Sequence, residues 1–221
     1  MPKIKGMEPK KFSKVIVGVI FLLIMLLSFR IEVFQISGSN KAFTLHNLVA
    51  PVSLGFVPSY VAIPMLIITK TYESFSIISL LFTLPSIMAM LAFKYNNTFF
   101  KFVIPVLGIL FFLLHPNIGY GKSIYFLLWL IPVIASLKEH LLTKSIVSTF
   151  NAHIVGSIIF LYFVDPINAA FWNTLIPVVI IERLVFSLGI ALSYLTFKQL
   201  TIVIENFSER VINNYKQLVR I

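Results

Sequence analysis

Glu182 and Arg183 stand side by side near the middle of a mostly apolar stretch from Thr174 to Phe197. A stretch of that length can cross a bilayer, which takes about 20 residues at 1.5 Å each. A charged side chain at that depth costs roughly 2.5–3.5 kcal/mol on insertion scales, so two adjacent ones mark a polar place inside a membrane protein. Neighbouring positions on a helix point about 100° apart. The two are therefore not expected to pair face to face, and each needs a partner on another helix or in a wet cavity. The planar fork of Arg183 suits a carboxylate or phosphate. Glu182 would orient Arg183 or bind a ligand amine. The competing reading is that both charges are glue that fixes a helix bundle.

A second polar group lies in Ser148-Thr149-Phe150-Asn151-Ala152-His153. Thr149, His153 and Ser157 share one helical face at i, i+4 and i+8. Ala152 and Gly156, and likewise Gly189 and Ser193, form small-xxx-small pairs that let another helix approach closely. A short loop, Asp165–Asn173, joins the two stretches, so they are expected to be antiparallel neighbours with His153 near Glu182 or Arg183. His46 and Asn47 form a third group, early in a segment that carries Pro51, Gly55 and Pro58. For His46, Asn47, Asn151 and His153, a ligand role competes with hydrogen bonding across helices. No two histidines lie at i+3 or i+4, and no HExxH, phosphate loop or nucleophile elbow occurs. No metal site, catalytic residue or cofactor is assigned.

Composition says what must position these residues. The chain has 221 residues, 58% hydrophobic and 12% charged, with mean hydropathy +0.96. Soluble domains carry about 25% charged residues, so lipid is the expected solvent and the cell membrane the expected place, in multi-pass form. The apolar runs lack the alternation of a membrane barrel, and helices satisfy their own backbone in hydrocarbon. The expected class is therefore all-α, a polytopic transmembrane helical bundle. Absence of cysteine excludes disulfides and thiol chemistry. The net charge of +10 reads as topology and not as affinity for nucleic acid.

Full spans are expected at Ser13–Phe29, Ser74–Phe93, Phe99–Leu114, Ser123–Ser136, Ser145–Val164 and Thr174–Phe197, the first being uncleaved. Phe99–Leu114 and Ser123–Ser136 are short. Ala42–Thr69 is too long for one ordinary span and reads as a broken hairpin of two half-length helices, interrupted at Leu54–Ser59. If it enters and leaves on one side, Lys3, Lys5, Lys10, Lys11, Lys14, Lys94, Lys101, Lys138, Lys144, Lys198, Arg210, Lys216 and Arg220 all fall on the N-terminal side. The positive-inside rule then makes both termini cytoplasmic. A single full span would scatter these charges. Two short complete spans, eight crossings in all, keep the parity. Gly38, Pro116, Gly119, Gly121 and Pro166 suit outer turns, with Tyr120 and Trp172 at outer boundaries. Residues 1–197 form one transmembrane domain. Residues 198–221 form a cytoplasmic tail whose Leu200, Ile204, Phe207, Val211, Tyr215 and Leu218 recur at helical spacing. That tail either lies on the inner leaflet or docks to a partner.

The segment Phe43-Thr44-Leu45-His46-Asn47-Leu48-Val49-Ala50-Pro51-Val52-Ser53-Leu54-Gly55-Phe56, after the first outer loop, resembles the substrate-binding S components of energy-coupling-factor (ECF) transporters. The resemblance implies an outward-facing pocket, a small-molecule substrate, and a separate ATPase with a membrane coupling subunit. The expected function is a substrate-binding subunit for uptake of a small polar or anionic molecule. His46, Asn47, Asn151, His153 and Arg183 would contact the ligand, with Glu182 beside them. Two other readings stay open: a membrane-embedded enzyme using His153 and Glu182 on a lipid-like substrate, and a structural or assembly protein.

Overall fold

The computed structural model describes residues 9–35, 42–72, 75–118, 122–164 and 168–218. Gly38, Gly119, Tyr120, Gly121 and Pro166, read above as outer-loop residues, lie outside them. The fold is all-α apart from one small hairpin. Helix α1 (Pro9–Ser28) leads into strands β1 (Glu32–Gln35) and β2 (Ala42–Thr44), which pair antiparallel with an irregularity between Glu32 and Phe34. Then come α2 (His46–Val49), a 3-10 segment (Ala50–Gly55), α3 (Ser59–Thr71), α4 (Ile77–Leu81) and α5 (Leu84–Tyr95). A π-helical turn (Phe99–Val103) opens α6 (Ile104–Leu114), and a 3-10 segment (Tyr125–Leu130) opens α7 (Ile131–Ala135). The chain ends in α8 (Leu141–Phe163) and α9 (Ala169–Leu218).

Among the described residues, three stretches are long and apolar enough to cross a membrane: Ile77–Tyr95, Leu141–Phe163 and Ala169–Val211. The other expected spans are shorter apolar helices, Ser13–Ser28, Phe99–Leu114 and Tyr125–Ala135. The last gains reach from its geometry. A 3-10 segment rises about 2.0 Å per residue against about 1.5 Å for an α-helix.

Much of the exterior is apolar, and a set of polar and charged residues is buried inside. On α9, Ile181, Leu184, Leu188 and Leu192 are each more than half exposed, whereas Glu182 and Arg183 are each 8% exposed. A soluble helix has the opposite arrangement. Two clusters fill the interior. One packs Phe21, Met25, Val52, Leu66 and Phe197 between α1, the broken segment and α9. The other gathers Phe112, Tyr125, Trp129, Ile154 and Trp172. Trp172 is 2% exposed and sits edge-on to Phe112, so it is a core ring and not an interfacial one.

The broken segment is broken where its prolines act. Pro58, extended at ψ 144, starts α3 after a non-helical Phe56–Pro58 turn. The first half is a turn of α-helix followed by a 3-10 segment, and not one half-length α-helix. Pro51 has no N–H for the i−4 carbonyl of Asn47, which favours this change of pitch. Helix α9 runs through Phe197 without interruption, so no helix break separates the tail from the span.

Candidate functional site

Helices α3, α5, α8 and α9, with the broken segment, build a cavity of about 680 Å³. Helix α8 supplies Thr149, His153 and Ser157, the face predicted from i, i+4, i+8 spacing, and all three line the cavity. Ala152 and Gly156 line it as well. A Cβ on Gly156 would meet Pro85 of α5 at 3.5 Å, ordinary contact. Helix α9 supplies Glu182 and Arg183 about three turns beyond an aromatic wall of Phe171 and Trp172, and Phe186 lies one turn further on. The broken segment and its neighbours supply Asn47, Pro51 and Lys70, together with Phe82 and Ser86.

Glu182 and Arg183 correct the sequence reading. They do pair, Arg183 Nη2 lying 3.1 Å from Glu182 Oε2. The arginine side chain is long enough to fold back across the angle between adjacent positions. Arg183 Nη1 also lies 3.3 Å from Thr149 Oγ1 of α8, and its guanidinium covers the Phe186 ring at 4.7 Å. Glu182 Oε1 and Arg183 Nε are buried and have no hydrogen-bond partner among the described residues. Unpaired buried polar atoms are uncommon and call for an explanation.

His153 takes a partner that periodicity did not suggest. Its Nε2 lies 2.6 Å from Tyr125 Oη. Tyr125 also packs on Trp172, with ring centroids 4.8 Å apart. Asn173 fixes the start of α9 beside Tyr125: its Oδ1 accepts from Ser123 Oγ at 2.9 Å and from the Ile124 N–H at 3.1 Å. Lys70, at the end of α3, donates to Ser86 Oγ of α5. No carboxylate among the described residues pairs with Lys70.

His46 and Asn151 do not line the cavity. His46 is fully buried and stacks on Phe29 at 3.5 Å between centroids, with Nδ1 3.4 Å from the Met25 carbonyl. It packs α2 against the end of α1. Asn151 Nδ2 donates to the carbonyls of Phe100 at 2.9 Å and Val147 at 2.7 Å. In the π-helical turn the Phe100 carbonyl would expect a donor five residues on. That residue is Pro105, which has no N–H. Asn151 satisfies the carbonyl instead.

Gly189, read as half of a small pair, admits α2: a Cβ there would come within 2.7 Å of Leu48 Cδ2. Lys70, Ser86 and Tyr125 escaped the sequence reading because they stand at element ends, where no periodic pattern flags them. No group of three His, Asp or Glu side chains able to hold a metal ion occurs among the described residues.

No family model, no curated protein and no solved structure matches this chain. Among the described residues the lining offers two cations, Lys70 and Arg183, against one carboxylate, Glu182. Aromatic rings surround them, and the volume lies within the roughly 300–1,000 Å³ usual for small-ligand sites.

Proposed function

We propose that this protein is a multi-pass membrane subunit that binds a small polar or anionic molecule for uptake. The observation that carries the reading is the cavity whose buried lining charges are incompletely satisfied among the described residues. Lys70 has no described counter-ion, and Glu182 Oε1 and Arg183 Nε lack partners. A carboxylate would receive two donors from the guanidinium fork or one from Lys70, while Phe82, Phe171 and Trp172 would cover an apolar body.

Glue explains the site less well. The Glu182–Arg183 pair is local to one helix, and only the 3.3 Å contact to Thr149 ties it to α8. An enzyme reading would use His153 with Tyr125, its close polar neighbour, and Glu182, which lines the same cavity. In the uptake reading both termini are cytoplasmic and the ligand enters from outside. The likeness of residues 43–56 to ECF S components adds a separate ATPase and coupling subunit as partners.

Thermal-shift measurements on the purified protein in detergent, with benzoate, nicotinate and inorganic phosphate as probes, test the site. At least one probe should raise the Tm of the wild type. Lys70→Gln and Arg183→Gln should each remove that rise, and Lys138→Gln should keep it. Failure of all three anions to shift the Tm, or an undiminished shift in both cavity variants, would count against an anion-binding site. Co-purification of an ATPase with the tagged protein separates the S-component form from a stand-alone carrier.

A further inference from the structure

A second groove, also about 680 Å³, lies apart from the cavity and shares none of its lining residues. It runs between α1, the tip of the broken segment at Leu54–Pro58, and α9. Lys14, Lys94 and Lys198 line it from three separate elements, with Glu205 as the one acidic lining residue among the described residues. None of the three lysines forms an ion pair among the described residues. Positive charge is thus in excess, and it is gathered by the fold and not by sequence adjacency.

The rest of the lining is hydrocarbon. Val15 and Val19 are 60% and 52% exposed, and Leu22 and Val61 continue the wall. Gly18 lies between the two valines, and a Cβ built there would meet nothing within 4 Å. The groove is therefore wide beside Gly18 as well as apolar. A small hydrated anion could use the lysines but would gain nothing from this wall. An amphiphile uses both.

We propose that this groove seats one acidic phospholipid, with its phosphate among Lys14, Lys94 and Lys198 and an acyl chain along Val15, Gly18 and Val19. The inference rests on the protein's being in a membrane, but not on what the cavity binds. Each lysine near an anionic headgroup adds to its attraction. Burial of each acyl methylene adds to that.

Native mass spectrometry of the full-length protein, released from nanodiscs of equal parts phosphatidylglycerol and phosphatidylcholine, reads the outcome. Wild type should retain phosphatidylglycerol over phosphatidylcholine by about tenfold or more, on the charge attraction above. The Lys14→Gln/Lys94→Gln/Lys198→Gln variant should retain the two lipids equally, and the corresponding triple arginine variant should restore the preference. Gly18→Leu should lower retention of both lipids without changing the circular dichroism.

Equal retention of the two lipids by wild type would overturn the proposal. So would an unchanged preference in the triple glutamine variant if it folds, or failure of the arginine variant to restore preference if the glutamine variant does not. Displacement of the lipid by glycerol 3-phosphate as readily as by phosphatidylglycerol would make this a site for a soluble phosphate, and would overturn the lipid assignment. The cavity variants Lys70→Gln and Arg183→Gln should leave lipid retention unchanged, so a failure here is separable from a failure of the uptake reading.

Discussion

At the scale of single residues, the Glu182–Arg183 pair decides most. Both side chains are 10% exposed, and removing one partner leaves a buried charge with no counter-ion. Such a loss costs about 3–5 kcal/mol in proteins generally, whereas replacing both partners costs much less. Glu182→Gln should therefore lower the Tm in detergent more than the Glu182→Gln/Arg183→Met double variant does. A double variant that is the less stable of the two would mean the charges act separately. The position of the pair was legible in the sequence, because two charges in an apolar run stand out. The contact was not legible, because a helical wheel describes where Cβ points and not how far an arginine reaches. Asn151 shows the same limit from the other side. It was legible as a buried polar residue, but its acceptor, the Phe100 carbonyl, exists only because a π-helical turn meets Pro105.

At the scale of elements, close approaches of helices carry the next set of consequences. Gly108 of α6 sits against α8 and the Tyr125–Leu130 segment: a Cβ there would collide with Ile154 Cγ2 and lie 3.2 Å from the Trp129 ring. Ile154 is branched and Trp129 is fully buried, so neither yields easily. Gly108→Ala should cost about 1–3 kcal/mol through overpacking, although alanine is the better helix former. Gly18→Ala meets open space and should be neutral or stabilising by up to about 1 kcal/mol. Thermal unfolding of the two variants side by side checks this, and equal effects would show that packing around Gly108 is looser than described. Periodicity found the face of α8 because a long regular helix keeps its register from Thr149 to Ser157. It did not find the interruption of α4 and α5 near Phe82, or the 3-10 pieces, because those follow from proline positions acting together with tertiary contacts.

At the scale of the whole molecule, the fold exposes apolar side chains and leaves an open, mostly apolar cavity that holds a few charged groups. Filling that cavity should abolish binding. Gly156→Phe projects a ring from α8 into the space. It should remove the Tm rise given by the anion probes while leaving the helical circular dichroism unchanged. Retention of the rise would place the ligand elsewhere. Apolar composition made the helical class legible, and charge asymmetry suggested a topology. The cavity itself was not legible, because it is a gap left between α3, α5, α8 and α9, and a gap has no residue of its own in the sequence.

Helix α9 extends for 50 residues, Ala169–Leu218, about 75 Å at helical rise. After Pro177 it contains no further proline, and continuous hydrogen bonding locks its azimuth along its length. Phe207, 67% exposed, lies 24 positions beyond Arg183, which places it about 240° around the axis from it. The bearing of the exposed apolar tail is therefore set by the bearing of the cavity arginine. Whatever meets Phe207 meets it on a side of the helix turned away from the side that looks into the cavity.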